Sequence, residues 1–277
     1  MFESGIYFYN TEQYKKEGDH MKSLKKVIDI LDYLSDAERE MGVTELSVKL
    51  NLPKSTVYRI LKDLLEYSMV EQEKDTSRYR IGLRLLKYSN SLLRSFDLRQ
   101  IAKPVLKSVC NETGETTLLT VWKNDQGFCI DSIFSSQNTN VSLFVEIGRE
   151  MPCHCTAGSK IILANQPLED IQRIINKKHF LKYTPNTIVD PKKLMKHLLE
   201  IKGKNYAICD EELQQGIKAI AAPIKNINGK TIASITITGL AQRMTSKNMR
   251  KLIKLVIDAG KEISKRLGHK KFIEKYI

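Results

Sequence analysis

Apolar residues between positions 53 and 65 recur at the spacing of one helical face, which is the clearest pattern in the chain. The apolar positions are Val57, Ile60, Leu61, Leu64 and Leu65. The opposite side is predicted to hold basic and hydroxyl side chains, namely Ser55, Arg59 and Lys62, with Thr56 and Tyr58 at its edges. Such a face suits the DNA major groove, because Arg bonds base edges and a helix N-terminus attracts phosphate. An ordinary surface helix with solvated charges has the same pattern, so the neighbouring elements decide between the two interpretations.

Two stretches before this segment also show helical periodicity and are predicted to form a helix-turn-helix with it. Residues 22–35 form the first predicted helix, and a polar loop follows it. Thr44 is a plausible N-cap for a short helix over Glu45–Leu50. Asn51 tolerates a left-handed turn and Pro53 can open the following helix, so a tight turn is expected between the two helices.

A short hairpin is predicted directly after the third helix. Strand-like residues 69–72 and 78–81 enclose a turn at Asp75-Thr76-Ser77. The two-residue period of a strand places Arg78 and Arg80 on one face. A basic two-stranded wing would reach phosphates or the minor groove, although a hairpin with no DNA role has the same pattern. Three helices and a basic wing within about sixty residues favour a winged helix-turn-helix.

Residues 82–95 are predicted to form a helix that joins two domains. This helix and the residue after it contain more apolar side chains than an isolated linker can expose to water: Leu85, Leu86, Leu92, Leu93 and Phe96. We therefore expect this helix to pack against a partner subunit. A dimer would also place two copies of the third helix on two half-sites of DNA.

The pattern changes from residue 97 onward, where an amphipathic helix over residues 98–109 is followed by strand-like runs and further helices. Strands are predicted at residues 116–122, 128–134, 141–145, 206–209, 217–224 and 231–238. Helices are predicted at residues 156–164, 168–175, 191–202 and 249–267. Hairpin-spaced strands framed by helices favour an antiparallel α+β domain. The predicted organisation is an extension at 1–20, a winged helix-turn-helix domain at 21–82, a linker helix at 83–96 and a second domain at 97–277.

Length and composition agree with two folded domains and add expectations about location. With 277 residues, of which 42% are hydrophobic, the chain can bury two cores. No apolar run approaches the roughly 18 residues needed to span a bilayer, and the N-terminus lacks the pattern of a signal peptide. Five scattered cysteines, an odd number, favour a reducing compartment over a disulfide framework. We therefore expect a cytoplasmic protein without a membrane segment.

The formal net charge of +13 favours a polyanionic partner such as nucleic acid. Residues 243–277 contain 11 basic and 3 acidic residues and thus carry +8 of that excess. Much of the positive charge therefore lies far along the sequence from the helix predicted to read DNA.

The run Met151–Lys160 holds two cysteines and a histidine within three residues, which raises the question of metal binding or thiol catalysis. Zinc ligands usually come as Cys pairs separated by two to four residues, and adjacent residues of a strand point apart. Because no second ligand cluster exists, neither a metal site nor a nucleophilic cysteine is expected. The small residues Thr156-Ala157-Gly158-Ser159 fit better as a helix start whose amides hold an anion such as a carboxylate. An ordinary capped helix start is the competing interpretation.

A second set of polar residues lies on the predicted strands of the same domain. Thr236 and Thr238 alternate with isoleucines, so both hydroxyls face one side of their strand. Cys209 and Asp210 end another strand, and residues 219–222 are small. With the helix start described above, these groups would form a compact polar pocket without an acid–base pair, which suits binding rather than catalysis. An exposed amphipathic strand is the competing interpretation of the two threonines.

The complete pattern resembles the IclR family of bacterial and archaeal transcriptional regulators from about Lys22 to the C-terminus. The resemblance rests on motifs in both domains: Ser55–Leu61, Tyr79–Leu83, Gly114–Thr116, Pro152–Lys160, Tyr206–Glu212, Gly216 and Ala221–Ile224. It implies a winged helix-turn-helix domain, a linker helix and a GAF-like antiparallel α+β effector domain. It also implies assembly as a homodimer or a dimer of dimers.

The resemblance further implies which residues bind a small effector, often a small carboxylate or an aromatic acid. These are Thr156, Ala157, Gly158, Cys209, Ala219, Thr236 and Thr238, with Asp210 beside them. The chain departs from the family at two places. Gly158-Ser159 stands where a bulky apolar residue and glycine are common, and Cys209 stands where Asp is common. Both departures bear on which ligand is bound.

The resulting hypothesis is a DNA-binding transcriptional regulator controlled by a small carboxylate effector, with no enzymatic activity, cofactor or metal. Operator contacts are expected from the second helix, the third helix and the wing: Thr44, Lys54, Ser55, Thr56, Tyr58, Arg59, Lys62, Arg78 and Arg80. The expected partners are duplex operator DNA, the effector and further copies of the chain. Two alternatives stay open: a GAF-like thiol redox enzyme or sensor using Cys153 and Cys155, and a winged-helix module that docks protein or RNA.

Overall fold

Two compact units, divided between residues 95 and 96, make up the chain in the computed structural model. The structure describes residues 19–37, 39–94, 97–135, 146–177 and 179–268. No helix in these ranges is long and apolar enough to cross a membrane.

The first unit contains three packed helices, a two-stranded hairpin and a fourth helix. Its helices are α1 (Asp19–Asp36), α2 (Val43–Leu50), α3 (Lys54–Glu66) and α4 (Arg84–Arg94). Its strands, which pair antiparallel, are β1 (Val70–Gln72) and β2 (Tyr79–Ile81). The apolar sides of α1 to α3 meet the hairpin in one core: Ile30, Leu34, Met41, Leu46, Val57, Ile60, Leu61, Leu64, Val70 and Tyr79. The predicted winged helix-turn-helix is confirmed.

The turn between α2 and α3 forms as the sequence predicts. Asn51 adopts the left-handed conformation, with φ 51° and ψ 47°, and ends α2. Pro53 is extended, and its carbonyl accepts hydrogen bonds from the N–H groups of Thr56 (3.0 Å) and Val57 (3.1 Å). These bonds start α3 immediately after the turn and fix the direction in which the helix leaves it.

Two local predictions were wrong at the edges of helices. Thr44 is not the N-cap of α2, because the helix begins at Val43 and the extended Gly42 caps it. The Gly42 carbonyl accepts the first helical bond from the Leu46 N–H (3.1 Å), which leaves Thr44 inside the first turn. Leu65, predicted on the buried side of α3, is 37% exposed because it lies at the edge of the apolar arc.

The linker region forms a helix that starts later than predicted, at Arg84. The apolar residues at its beginning are exposed to solvent, with exposed fractions of 74% for Leu83, 57% for Leu86 and 48% for Tyr88. The side chains of Leu92, Leu93 and Phe96 lie outside the described residues. The packing of this helix against a partner subunit stays a prediction.

The second unit is a six-stranded antiparallel sheet that carries helices on both faces. The strand order is β5-β4-β3-β8-β7-β6. The strands are β3 (Thr116–Lys123), β4 (Gln126–Ile133), β5 (Glu150–Met151), β6 (Ala207–Asp210), β7 (Ile217–Lys225) and β8 (Thr231–Leu240). The helices are α5 (Asp97–Thr113), α6 (Ala157–Ala164), α7 (Leu168–Lys177), α8 (Pro191–Lys204) and α9 (Ser246–Arg266). The predicted strand at 141–145 lies outside the described residues, and the short β5 was not predicted.

The two faces of this sheet carry different side chains, because successive residues of a strand point to opposite sides. One face forms an aliphatic core with α5 and α9 that includes Leu119, Ile220, Ile235, Ile237 and Val256. The other face packs against α6, with α8 packed on α6 and α7 on α8. The cluster there includes small side chains, Ala157 of α6 and Cys209 and Ala221 of the sheet. Threonine and serine residues of β3 and β8 also point to this second side, which we call the mixed face.

Candidate nucleic-acid interface and ligand site

The outer side of α3 is exposed, basic and rich in hydroxyl groups. Ser55, Tyr58, Arg59 and Lys62 face solvent, and Thr56 is half-buried. Among the described residues, no carboxylate forms an ion pair with Arg59 or Lys62. The first turn contains no acidic residue, so the N-terminal end of the helix dipole is left to attract an anion. This surface can therefore offer a guanidinium to base edges and amides or hydroxyls to phosphates.

The two arginines of the hairpin differ in their partners. Arg80 lies opposite Glu71 in the strand pairing and forms an ion pair with it (3.1 Å). Glu40 adds a second carboxylate at 3.8 Å from the Arg80 guanidinium. Arg78 instead donates to the backbone carbonyl of Glu40 (3.4 Å), a neutral acceptor that leaves its charge in place. A phosphate would therefore meet less competition at Arg78 than at Arg80.

The remaining predicted DNA contacts lie at the starts of α2 and α3. Thr44 is exposed in the first turn of α2, one residue before Glu45, whose carboxylate pairs with Arg39. Lys54 is exposed as the first residue of α3. All nine predicted contacts are thus at least partly accessible to a partner.

The predicted anion site lies where α6 begins, above the mixed face of the sheet. Thr156 is the extended N-cap, and its hydroxyl donates to the Pro152 carbonyl (2.9 Å) instead of capping the helix. The first backbone bond of α6 runs from the Lys160 N–H to the Thr156 carbonyl (2.9 Å). The N–H groups of the first turn precede this bond and have no acceptor within the helix. They are therefore the groups that an anion would bind.

Gly158 brings the first turn of α6 into close contact with hydroxyl groups of the sheet. A Cβ atom at this position would lie 2.9 Å from the hydroxyl oxygens of Thr120 and Thr236, and 3.0 Å from that of Ser234. The Ser234 hydroxyl donates to the Gly158 carbonyl (3.0 Å). The missing side chain is therefore what allows the helix start to approach these three hydroxyls.

The sheet register aligns the other predicted ligand residues across four strands. Cys209 of β6 pairs with Ala219 of β7, and Ala219 pairs with Thr238 of β8. Thr238 in turn pairs with Thr116 of β3. Thr236 precedes Thr238 by two residues and so shares its face. The structure thus brings the predicted strand residues together on the face that α6 covers, although they are far apart in sequence.

Two threonines of β3, which sequence reasoning missed, extend the same face. Thr116 and Thr120 are fully buried. Their hydroxyls, and that of Thr236, have no hydrogen-bond partner in the part of the chain that the structure describes. Because buried polar groups are nearly always paired, three unpaired hydroxyls on one face suit a polar ligand. The four-residue spacing of Thr116 and Thr120, which keeps both on one side of a strand, is the signal in the sequence.

Asp210 does not join the other predicted ligand residues. It follows Cys209 directly in β6 and therefore points to the opposite side of the sheet. Its side chain is 60% exposed and forms an ion pair with Lys218 (2.9 Å). This geometry places the Asp210 side chain away from the mixed face. A role of Asp210 in ligand binding stays a prediction.

The buried position of Lys160 was also missed by sequence reasoning. Its ammonium is fully buried and pairs with the Glu212 carboxylate. It also donates to the Ile208 carbonyl (2.9 Å) and to Nε2 of His197 (3.2 Å). Burial, reinforced by the Lys160 charge, lowers the pKa of His197 to about 4, so the neutral ring can accept this bond. The cluster ties α6 to the end of β6 and to α8.

All five cysteines are buried, which works against thiol chemistry. Burial raises the pKa of Cys155 well above its usual value and raises that of Cys129 to about 12. Burial also raises the pKa of Cys209, whose thiol donates to the Cys155 carbonyl (3.0 Å). Because only the thiolate is a good nucleophile, the thiol redox alternative is not favoured. Within the described ranges, His, Cys, Asp and Glu side chains form no group of three that could hold a metal ion.

Comparison with known proteins identifies both units. Residues 23–74 match the IclR helix-turn-helix domain, and residues 90–265 match the family described as bacterial transcriptional regulator IclR C-terminal. The chain is 30% identical over 254 residues to the HTH-type transcriptional regulator KdgR of Dickeya chrysanthemi, covering 92% of this chain and 82% of that protein. It is 27% identical over 249 residues to the HTH-type transcriptional regulator XynR of Escherichia coli, covering 90% of this chain and 98% of that protein.

Solved structures share the fold. IclR of Thermotoga maritima aligns with a TM-score of 0.72 and 31% identity, covering 90% of this chain and 100% of that one. An IclR homologue of Microbacterium hydrocarbonoxydans, complexed with 4-hydroxybenzoate, aligns with a TM-score of 0.72 and 21% identity, covering 88% of this chain and 98% of that one. With both units matched by family and most of the chain aligned to a relative at 30% identity, the chain belongs to the IclR family of bacterial transcriptional regulators.

Proposed function

We propose that this protein binds an operator through α3 and the hairpin, and that a small carboxylate bound at the start of α6 controls its affinity for DNA. The observation that carries the proposal is the exposed outer side of α3. There Arg59 has no acidic partner among the described residues and sits among hydroxyl groups near a helix N-terminus. A free guanidinium in that position is suited to bidentate bonding with guanine in the major groove.

The proposal divides the predicted DNA contacts by chemistry. The hydroxyl and aromatic side chains of α3 lie with Arg59 near base edges: Ser55, Thr56 and Tyr58. The other basic residues and the α2 hydroxyl contact phosphates: Lys54, Lys62, Arg78, Arg80 and Thr44. Phosphate contacts hold the protein on DNA at all sequences, and base contacts select the operator.

The ligand site is proposed for a carboxylate because its donors are neutral and converge. First-turn amides of α6 and the unpaired hydroxyls of Thr120 and Thr236, which lie beside Gly158, can donate to carboxylate oxygens. Thr116 lies about 13 Å from Thr120 along β3, so its hydroxyl would contact another part of the ligand. Cys209 is a neutral thiol where the family commonly has Asp, so it does not repel an anion. The homologue complexed with 4-hydroxybenzoate, a carboxylic acid, supports this class of ligand.

A second copy of the chain completes the proposal. The exposed apolar residues before and within α4, Leu83, Leu86 and Tyr88, suit an interface between copies. A two-fold dimer presents two α3 helices to two half-sites of an operator.

The DNA-binding role is tested by Arg59→Ala, with Lys62→Ala as the matched control. If Arg59 bonds a base, its loss reduces affinity for the operator by about 1–3 kcal/mol and relaxes preference at one base pair. Lys62→Ala should weaken operator and unrelated DNA alike, because a phosphate contact carries no sequence information. Fluorescence-anisotropy titrations on duplexes recovered by genomic footprinting measure both effects. Equal losses on all sequences for Arg59→Ala would remove it from base reading.

The ligand role is tested by thermal shift with 4-hydroxybenzoate and short aliphatic carboxylates, and with 4-hydroxybenzamide as the uncharged control. A ligand that binds only the folded state raises the melting temperature as its concentration increases. The shift should disappear in Thr236→Val, which removes one unpaired hydroxyl at nearly constant volume. Wild-type shifts that are equal for acid and amide, or that persist in the variant, would refute a carboxylate site at this face.

A further inference from the structure

The C-terminal helix α9 carries a row of cations along its exposed side. Its other side is buried in the aliphatic core through residues such as Leu252, Val256 and Ile263. Helical geometry places six basic residues within one exposed arc, which we call the basic stripe: Lys247, Arg250, Lys251, Lys254, Lys261 and Lys265. Six of the eleven basic residues that the sequence concentrates after position 242 therefore lie on one surface.

Acidic residues neutralise little of this stripe. Lys251 lies 3.6 Å from Glu112 of α5, and Lys261 lies 4.0 Å from Asp258 on the same helix. Both pairs are exposed and long, so water and salt screen them. Glu262 also lies beside the stripe, but it pairs with Arg266 (2.8 Å), which is not one of the six residues. Three carboxylates beside seven cations leave a local excess of positive charge.

The length and spacing of the basic stripe fit a duplex backbone. Lys247 and Lys265 are eighteen residues apart, which corresponds to about 27 Å along the helix axis. That length equals about eight base pairs, with phosphates of each strand about every 3.4 Å along the axis. Because each strand winds around the duplex axis, a straight helix meets phosphates where a strand crosses it, and cations on several turns allow two to four such contacts without reading any base.

A membrane surface is a poorer fit for the same helix. Interfacial helices insert apolar side chains between lipids, opposite their charged side. In α9 the apolar side already faces the sheet, and none of its large apolar residues is exposed. The polyanion that the proposed function brings to this protein is duplex DNA.

We propose that the basic stripe of α9 binds the sugar–phosphate backbone of duplex DNA flanking the operator, independently of sequence. The inference rests on the proposed DNA-binding function, and it adds a second contact region in the other unit of the chain. Once the operator is bound, the flanking part of the same duplex is at a high effective concentration for the basic stripe. Contact with the flanking DNA then raises the overall affinity. It also explains why so much positive charge lies outside the winged helix-turn-helix unit.

The test compares two charge-matched quadruple variants. The first replaces four stripe residues with glutamine: Lys247, Arg250, Lys254 and Lys265. The control removes the same charge from exposed positions of α8: Lys192, Lys193, Lys196 and Lys204. Both variants and the wild type are titrated with the footprinted operator alone and with the operator extended by about 20 base pairs on each side, from 50 to 200 mM salt. Circular dichroism melts check that all three proteins are folded.

The stripe variant should keep its affinity for the short operator and lose the gain that flanks give the wild type. Loss of two to four phosphate contacts lowers the salt slope on the long duplex by about 2–4 units. The change in affinity between 50 and 200 mM salt then shrinks by about 10- to 150-fold, with the α8 control close to wild type. The inference would be overturned if the two variants showed the same affinity and salt dependence on the long duplex. It would also be overturned if flanking DNA did not change the affinity of the wild type. A failure of the proposed operator binding would be seen separately, as equal affinities of Arg59→Ala and the wild type for the short operator duplex.

Discussion

The two units place their polar groups in opposite ways. On α3 of the first unit, the residues proposed to contact DNA are exposed or, at Thr56, half-buried, so their polar groups are accessible to water. On the mixed face of the second unit, three threonine hydroxyls are buried without a hydrogen-bond partner among the residues that the structure describes. An unpaired buried hydroxyl costs about 1–3 kcal/mol, whereas an exposed one costs almost nothing. The difference implies that substitutions on the outer side of α3 should change the stability of the first unit little, whereas a ligand bound at the proposed site would stabilise the second unit.

Ion pairs show the same contrast. Lys160 and Glu212 form a buried pair in the second unit, and Arg80 and Glu71 form an exposed pair in the first. Exposed pairs contribute roughly 0–1 kcal/mol, because water already solvates both charges. A buried pair contributes little on balance, yet removal of one partner leaves a charge that nothing compensates. Substitutions in the two pairs should therefore have very different effects.

The largest effect is expected for Lys160→Met. It leaves the Glu212 carboxylate buried without its cation and should lower the free energy of unfolding by about 3–5 kcal/mol. Urea unfolding followed by circular dichroism measures the loss. The double variant Lys160→Met/Glu212→Leu should regain most of it, because no buried charge is left unpaired. Arg80→Met is the exposed control and should change stability by less than about 1 kcal/mol. Unfolding of Lys160→Met at the wild-type urea concentration would contradict the role of the buried pair.

A smaller effect is expected for Gly158→Ala. The added methyl would lie 2.9 Å from the hydroxyl oxygens of Thr120 and Thr236, so the helix start or the strands must shift. Such overpacking costs about 1–3 kcal/mol in the free energy of unfolding. Gly203→Ala, in α8, is the matched control, because its Cβ meets nothing within 4 Å and alanine favours a helix by about 1 kcal/mol. Urea unfolding of both variants should give changes of opposite sign, and equal stability of Gly158→Ala and wild type would show that the contact is not tight.

Local periodicity explains which parts of the first unit could be predicted. The apolar side of α3 follows directly from residue spacing, and Asn51 ends α2 through a conformation that its own side chain tolerates. Leu65 and Thr44 were misplaced, because the edge of a buried arc and the choice of a cap depend on neighbouring elements. Pairing of Arg80 with Glu40 joins residues forty positions apart, and no local pattern reveals it.

The proposed ligand site of the second unit depends on the order of the strands in the sheet, which the sequence does not state. Thr116 and Thr120 share a face with Thr236 because β3 lies beside β8, more than one hundred residues away along the chain. The position of Asp210 on the opposite side of the sheet from Cys209 follows from the sequence alone, since adjacent residues of one strand point to opposite faces. The alternation of side chains along a strand can be read from the local sequence, whereas the identity of the neighbouring strand cannot.

The smallest effect distinguishes the two arginines of the hairpin. Arg78→Ala removes a cation whose contact is with a neutral carbonyl, so it should lower the salt slope of DNA binding by about 1 unit. Arg80→Ala should change the slope less, because the Arg80 guanidinium must leave Glu71 before it can meet a phosphate. Glu71→Gln releases Arg80 from that competition and should raise affinity for all duplexes, which anisotropy titrations at several salt concentrations would detect. If Arg78→Ala and Arg80→Ala give equal slopes, the ion pair with Glu71 does not restrain the wing, and exposure alone decides which cation reaches DNA.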